Sequence, residues 1–282
     1  MKIKQYKAFD YRVVVSAVMM TLVFPVGGAV SLTLGSAMRV SGELIAQTSQ
    51  QRKEEVIRLN EQGVQLFGQG KYSEALELFE KALVICKQID DKSGEGAYLN
   101  NIGLVYNNLG QYQKALDYYQ QSLVIRKQIG DKSGEGTTLN NIGVVYRSLG
   151  QYQKALDYYQ QALVISKHLG DKSGEGTTLN NIGAVYRSLG QYQKALDYYQ
   201  QALVISKHLG DKSGEGTTLN NIGAVYRSLG QYQKALDYYQ QALVISKHLG
   251  DKSGEGTTLN NIGAVYRSLG QYQKALDYYQ QA

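Results

Sequence analysis

Residues 131–282 repeat with a fixed period of forty residues. Each residue is identical to the one forty positions later except at Val144, which becomes alanine in every later copy. A looser copy covers residues 97–136, and a diverged copy begins near Arg52. A fixed period in this range is typical of repeat architectures, in which each unit buries its apolar face against its neighbours. The sequence therefore predicts about six stacked units, the last of them incomplete.

Each unit is predicted to contain two helices. In residues 177–189, the apolar side chains recur at helical spacing, from Leu179 to Leu189, and in residues 192–209 they do so from Ala195 to Leu209. Gly190 supplies a stop between the halves, and Gly210 followed by Asp211 predicts the stop and N-cap before the next unit. No six-residue window alternates as a strand would. The pattern predicts an all-α solenoid of antiparallel helix pairs.

The residue types at seven places resemble the tetratricopeptide (TPR) signature, in which small residues alternate with bulky ones. In residues 179–202 these places hold Leu179, Ile182, Gly183, Tyr186, Ala195, Tyr199 and Ala202. The first unit holds Leu59, Gln62, Gly63, Leu66, Ala75, Phe79 and Ala82 there, and the second holds Leu99, Ile102, Gly103, Tyr106, Ala115, Tyr119 and Ser122. The unit length and the Leu-Asn-Asn opening look most like the long repeats of kinesin light chain. The resemblance covers about residues 52–282 and implies a right-handed superhelix. The family's usual proline is absent, and Lys207 stands in its place.

Composition excludes several classes of function. The net charge is +6, but residues 1–46 supply +3 of it, and residues 191–230 have a balance of only +1. A nucleic-acid groove needs a denser basic stripe, so we expect no nucleic-acid partner. The 24 tyrosines follow from four in each unit, and we expect them to pack between helices with their hydroxyls reaching the surface.

No cofactor, metal site or catalytic centre is predicted. Cys86 is the only cysteine and falls in an apolar run, so a buried inert thiol is expected. The segment that starts at Asp131 imitates a calcium loop, but its twelfth position is Ile142, and we expect helix capping and a flexible turn there instead. The histidines, one in each of three units, are too far apart to share one zinc ion, so we expect them at the surface. An enzyme has one catalytic centre made of distinct residues, whereas the polar residues from Asp131 onward recur in every copy of the unit.

The N-terminus combines a basic start with an apolar segment. Four basic residues lie in residues 1–12, and residues 13–38 carry no charge. This pattern predicts a secretory signal peptide, cleaved after Ala37 or Ala46, or an uncleaved membrane anchor in residues 1–46. A soluble, unprocessed tail is the third alternative. Either a signal peptide or an anchor would place the repeats outside the cytoplasm, in the periplasm or in the extracellular space.

The ends of the repeat domain, residues 47–282, are expected to differ. Residues 47–53 are interpreted as a polar linker, and Gln62 on the packing stripe indicates a polar N-terminal cap. At the other end, Leu276, Tyr279 and Ala282 are predicted to face water. An exposed apolar end would suit a longer chain or association with a second copy.

The face of each first helix beside the core stripe is the candidate binding site. In residues 177–188 it holds Thr177, Asn180, Asn181, Ala184, Arg187 and Ser188. In tetratricopeptide proteins these places line the concave groove, so the resemblance implies a ligand role. An asparagine amide can pair with both backbone groups of an extended peptide, and arginine favours carboxylates. The candidate residues are Asn100, Asn140, Asn180, Asn220, Asn260, Asn141, Asn181, Asn221, Arg147, Arg187, Arg227 and Arg267. The alternative is that the asparagines bond across to the neighbouring unit and lock the stacking.

Three functional hypotheses follow. The first is a non-catalytic scaffold that binds an extended, acidic segment of a partner protein in the groove. The second comes from exported bacterial arrays that resemble this one and often precede a caspase-like (CHAT-type) peptidase domain, which would make the array the sensing arm of a truncated enzyme. The third is a structural solenoid that assembles end to end. The sequence beyond Ala282 separates the first two, and concentration-dependent light scattering tests the third.

Overall fold

The computed structural model describes the backbone of residues 34–282 and the side chains of residues 48–282. This part of the chain contains twelve helices and no strand, which confirms the all-α prediction. The first helices of the pairs, called A helices here, are α1 Leu34–Gly68, α3 Lys92–Asn108, α5 Lys132–Ser148, α7 Lys172–Ser188, α9 Lys212–Ser228 and α11 Lys252–Ser268. The second helices, called B helices, are α2 Tyr72–Gln88, α4 Tyr112–Gln128, α6 Tyr152–Leu169, α8 Tyr192–Leu209, α10 Tyr232–Leu249 and α12 Tyr272–Gln281.

The chain divides into residues 1–49 and residues 50–282. In the second part, units 1 to 6 are the successive A and B pairs, and each unit packs on the next to form a right-handed solenoid. The charge-free segment of residues 13–38 lies mostly outside the described residues. None of the described helices has both the length and the apolar character needed to cross a membrane.

Three details of the helix boundaries and stripes differ from the sequence predictions. Residues 47–53 are not a linker, because they lie within α1, where Gln50 Nε2 donates to Glu54 Oε1 at 3.1 Å, one turn along. The segment after Asp131 is not a flexible turn but the first turn of α5. Leu189 and Leu209, at 41% and 46% exposed, lie outside the core because they follow the last packed turn of each helix.

The N-cap and the turns follow the sequence closely. Asp211 Oδ1 accepts from the Gly214 amide at 2.9 Å, and the equivalent aspartates cap the other A helices in the same way. Gly190 and Gly210 have φ values of +70° and +68°, in the left-handed region that glycine reaches without a Cβ penalty. This pair of glycines turns the chain after each helix.

The core of each unit is a tyrosine ring packed on a glycine. Tyr199 of α8 is fully buried, and its Cε1 would lie 2.7 Å from a Cβ placed on Gly183 of α7. The same contact recurs in units 2 to 6, down to Tyr279 against Gly263, with phenylalanine in place of tyrosine in unit 1. No larger residue than glycine fits at this crossing, because the ring lies where a Cβ would be. This explains the small and bulky residues of the family signature.

The tyrosines pack between helices as predicted, but not all of their hydroxyls reach the surface. The hydroxyls of Tyr159, Tyr199 and Tyr239 are buried without a hydrogen-bond partner. Elsewhere in each of units 2 to 6, two rings are stacked, as in Tyr186 and Tyr198 with centroids 5.3 Å apart. Lys194 Nζ lies 5.3 Å from the centre of the Tyr186 ring.

Several predictions about single residues are confirmed. Ile142 and Cys86 are fully buried, and burial with the nearby Asp91 carboxylate raises the pKa of the Cys86 thiol to about 11. Gln62 is exposed on its helix and accepts from Arg58 Nη1 at 3.3 Å. The three histidines are exposed. At the last unit, Leu276 and Ala282 are exposed, whereas Tyr279 is only half-exposed.

Candidate functional site

The candidate site is the face of the A helices that carries the paired asparagines, called the groove face here. In unit 4 it comprises Ser173, Thr177, Asn180, Asn181 and Arg187, which lie at helical spacing along α7. Ala184, which the sequence placed on the same face, is buried in the core instead. Successive A helices lie side by side, so the groove face of one unit continues into that of the next. The capped N-terminus and the glycine turn of each unit fix this register.

The asparagine pairs bond from one unit to the next. The second asparagine donates through Nδ2 to Oδ1 of the first asparagine in the preceding unit. The three such bonds are Asn141 to Asn100 at 3.1 Å, Asn181 to Asn140 at 3.1 Å and Asn221 to Asn180 at 3.0 Å. These bonds contribute to stacking, as the structural alternative predicted. The ligand role of the asparagines stays a prediction.

The bonds leave part of each amide available. Asn180 accepts at Oδ1, but its Nδ2 has no partner within the described residues, and Asn181 keeps its own Oδ1 free in the same sense. Donor and acceptor groups of one pair therefore remain for the backbone of an extended peptide. At the last junction the pattern changes, since Asn220 Nδ2 donates to Thr258 Oγ1 at 2.7 Å and Asn260 is exposed.

The arginine row lies on the same face. Arg147, Arg187 and Arg227 are half-buried, and Arg267 is exposed. None of the four forms an ion pair or hydrogen bond within residues 48–282. The charges of Arg187 and Arg147 also reach the buried Tyr199. Burial raises the pKa of Tyr199 to about 12, and the two positive charges oppose this rise. The row is thus a set of four arginines, three of them half-buried, without acidic partners within the described residues.

Between successive A helices the groove face opens into cavities of the same composition. The cavity between units 3 and 4 has a volume of about 230 Å³, and the one between units 4 and 5 about 290 Å³. Hydroxyl and amide side chains of both A helices line them, with an isoleucine and a buried serine from the B helix at the base. The lining residues of the larger one include Thr177, Asn180, Ile205, Ser206, Asp211 and Ser213.

Sequence reasoning missed these cavities and the residue that distinguishes them. Ser166 and Ser206 stand at their base, where unit 2 has Arg126. The signal was present in the sequence, because this is one of the few places where unit 2 departs from the later copies.

The described residues contain no cluster of histidine, cysteine, aspartate and glutamate that could hold a metal ion.

Solved structures similar to this chain are helical repeat proteins. BtubC (BKLC) from P. vanneervenii is 23% identical with a TM-score of 0.60, covering 75% of this chain and 87% of its own. The Rap protein complexed with Competence and Sporulation Factor is 17% identical with a TM-score of 0.65, covering 80% and 73%. A putative kinesin light chain from Podosopora anserina with nearly identical TPR-like repeats is 19% identical with a TM-score of 0.54, covering 68% and 96%. At these identities the likeness shows the fold alone.

The sequence itself matches a family model. No curated protein sequence matches this chain. The tetratricopeptide repeat model matches residues 55–128, 94–168, 134–208 and 214–282, which together cover most of the chain. The tyrosine and glycine crossings and the paired A and B helices agree with that match, so the chain belongs to the tetratricopeptide repeat family.

Proposed function

We propose that residues 50–282 are a non-catalytic scaffold that binds an extended, acidic segment of a partner protein along the groove face. The observation that carries the proposal is the unpaired arginine row. Two other half-buried charged residues, Arg126 and Asp131, pair with each other, whereas Arg147, Arg187 and Arg227 have no partner within the described residues. An arginine without an acidic partner gains most from a carboxylate that binds its guanidinium in a bidentate manner.

The asparagine pairs complement the arginines. Arginine supplies charge, and the free Nδ2 of Asn180 with the free Oδ1 of Asn181 supplies one donor and one acceptor for a peptide backbone. Because units 3 to 6 are nearly identical in sequence, successive steps of the groove there are equivalent and select for extended backbone more than for one sequence. The Rap protein, which has a similar fold, was solved in complex with a factor, which supports binding of a partner by such a fold.

Fluorescence anisotropy with a short labelled oligoglutamate peptide tests the proposal on the full chain. Changing Arg147, Arg187 and Arg227 together to Gln should weaken binding by at least tenfold, since each lost charge-assisted hydrogen bond costs about 1.5–3 kcal/mol. The matched control changes Lys154, Lys194 and Lys234 to Gln. It removes the same charge from the same units, but at the tyrosine stacks. Equal weakening in both variants would reduce the effect to net charge and contradict the proposal.

The asparagines are tested separately. We expect Asn140→Ala, Asn180→Ala and Asn220→Ala together to weaken peptide binding while circular dichroism remains helical. If binding is unchanged, the asparagines serve stacking alone. If the helical signal is lost at ordinary temperature, their bonds are required for the fold.

We also propose that residues 1–46 direct the solenoid out of the cytoplasm. The basic start and the charge-free segment of residues 13–38 support this proposal. Fractionation of cells that express the full chain, compared with a chain carrying Asp in place of Val14 and Val18, tests it. Equal amounts of both chains in the cytoplasmic fraction would contradict it. The sensing-arm and self-assembly hypotheses stay predictions.

A further inference from the structure

One position of the B helices differs along the solenoid in a way that the groove face does not explain. The residue five places before each capping aspartate is Cys86, Arg126, Ser166, Ser206 and Ser246 in successive units. Cys86 and the serines are small and buried, whereas Arg126 carries a full charge into the same place. The Arg126 side chain is only 13% exposed.

Arg126 enters the space between two A helices. Its Nε lies 3.0 Å from where a Cβ on Gly96 of α3 would be and 2.6 Å from where one on Gly134 of α5 would be. Its Nη1 forms an ion pair with Oδ2 of Asp131, the N-cap of α5. The guanidinium therefore lies between units 2 and 3, against the cap of the following A helix.

The corresponding spaces at the next two junctions are the cavities of about 230 and 290 Å³. Ser166 and Ser206 stand at their base in place of Arg126, and Asp171 and Asp211 stand where Asp131 does. Most of the other lining residues are the same at the first junction, but Ala97 and Ile129 stand there in the places of Thr137 and Leu169. Shortening the side chain from arginine to serine thus leaves a cavity at a place where the chain itself shows a guanidinium bound.

Each capping aspartate in these cavities uses only one of its two carboxylate oxygens, Oδ1, within the described residues. Oδ1 of Asp171 accepts from the Gly174 amide at 2.9 Å, as Oδ1 of Asp131 does from Gly134. Oδ2 of Asp131 is taken by Arg126, whereas Oδ2 of Asp171 has no partner within residues 48–282. The nearby Lys172 is engaged with Glu175 at 2.7 Å and does not fill this role.

The partial positive charge of the A-helix N-terminus opposes a cation here, at about half a unit charge against the full charge of the carboxylate. The same opposition exists at α5, where Arg126 is nevertheless bound. The aspartate therefore outweighs the helix dipole at this place. At Asp131 the pairing is through Nη1 of Arg126 alone, so a guanidinium needs only the Oδ2 of the aspartate.

We propose that the two cavities at Asp171 and Asp211 each bind an arginine side chain of a partner segment, in the manner of Arg126 at Asp131. This inference rests on the proposed function for the presence of a segment along the groove. It adds that the segment carries arginines as well as acidic residues. With units about 10 Å apart and about 3.3 Å per extended residue, the arginines would be about three residues apart.

The test uses the full chain and a labelled peptide of glycine and serine with two arginines three residues apart, beside the same peptide with citrulline. Citrulline keeps the shape and loses the charge. We expect anisotropy to show binding of the arginine peptide that is at least tenfold tighter than that of the citrulline peptide. No binding of the arginine peptide, or equal binding of both, would overturn the proposal.

Two variants locate the binding. Asp171→Asn with Asp211→Asn keeps the N-caps, since asparagine caps as well as aspartate does, and should reduce binding of the arginine peptide by at least tenfold. Ser166→Arg with Ser206→Arg should fill both cavities, abolish binding and raise the melting temperature. Unchanged binding in either variant, or a lower melting temperature in the second, would overturn the proposal.

The proposed function is distinguished by the oligoglutamate peptide. It should bind the Asp171→Asn and Asp211→Asn variant at least as well as the parent chain, because the arginine row is intact. Loss of oligoglutamate binding only in the arginine-row variant, and of the arginine peptide only in the aspartate variant, would separate the two sites.

Discussion

The junction between units 2 and 3 and the junction between units 3 and 4 have the same helices but different chemistry. At the first, Ser122 Oγ donates to the Gly96 carbonyl at 2.7 Å, and Arg126 pairs with Asp131. At the second, Ala162 and Ser166 occupy the places of Ser122 and Arg126, and a cavity lies where the arginine side chain lies at the first junction.

Both junctions keep the asparagine bond and the tyrosine on its glycine. The comparison teaches that the stack keeps these two features whether or not the polar groups of the first junction are present. The polar groups of the first junction are an addition, and their absence from the later units leaves room for a ligand.

The largest expected effect concerns what the junctions share. Tyr119→Ala and Tyr199→Ala each remove a buried ring and should lower the free energy of unfolding by about 3–5 kcal/mol. Urea denaturation followed by circular dichroism measures this. Val204→Ala, at a position 59% exposed, is the control and should change it by less than about 0.5 kcal/mol. A clear difference between the two tyrosine variants would show that the units do not share one packing mechanism.

The second prediction removes what only the first junction has. Arg126→Ser should cost about 2 kcal/mol, between the ~0–1 kcal/mol of an exposed pair and the ~3–5 kcal/mol of a broken buried one. The remaining Asp131 is partly exposed and keeps its bond to Gly134. Gln128→Ser, at an exposed position two residues away, should have little effect. A cost equal to that control would make the ion pair irrelevant to stability and erase the energetic difference between the junctions.

The third prediction concerns the N-cap that every junction shares. Asp171→Ala should lower the free energy of unfolding by about 1 kcal/mol, whereas Asp171→Asn should be nearly neutral. Asp131→Ala should cost more than Asp171→Ala, because it also leaves the Arg126 guanidinium, mostly buried, without its partner. Thermal unfolding of the three variants measures the order. Equal costs at Asp131 and Asp171 would refute the unequal role of the two caps.

The smallest expected effect is on the response to acid. The Gly134 amide bond, and to a lesser degree Arg126, lower the pKa of Asp131. A group whose pKa is lowered by folding contributes stability above its unfolded pKa of about 3.9, and this contribution is lost as the pH falls through its folded pKa. Arg126→Ser should therefore raise the pKa of Asp131 toward that of an ordinary cap, as measured by NMR titration of its carboxyl group. An unchanged pKa would place the guanidinium too far away to matter.

The sequence predicted the helix pairs well because period and stripe are local signals. The start of the B helix at Tyr192, the glycine turns and the cap at Asp211 could all be read from single residues with one physical role. The resemblance to the tetratricopeptide signature singled out Gly183 and Tyr199, and the structure adds that the Tyr199 ring and the Gly183 backbone are in contact.

The errors came from residues whose role depends on a neighbour. The glycines after Asp131 suggested a turn, but Gly134 lies in a helix, where it gives space to Arg126 and Asp131. Leu189 fitted the apolar stripe, but it lies past the last packed turn. The cavities could not be predicted from the sequence, because a space between two helices depends on how several residues pack and not on any single residue.

The stacked tyrosines have a consequence for optical spectroscopy. The chain has no tryptophan, and the described residues contain five stacked pairs of tyrosine rings with centroids 5.3 to 5.4 Å apart, one pair in each of units 2 to 6. Rings this close exchange excitation, so near-ultraviolet circular dichroism and tyrosine emission depend on each pair being intact. Because each pair joins the A and B helices of one unit, the part of the signal that comes from the stacked pairs should fall each time a unit opens. The stacked tyrosine pairs are thus an intrinsic spectroscopic probe of how many of these units are folded.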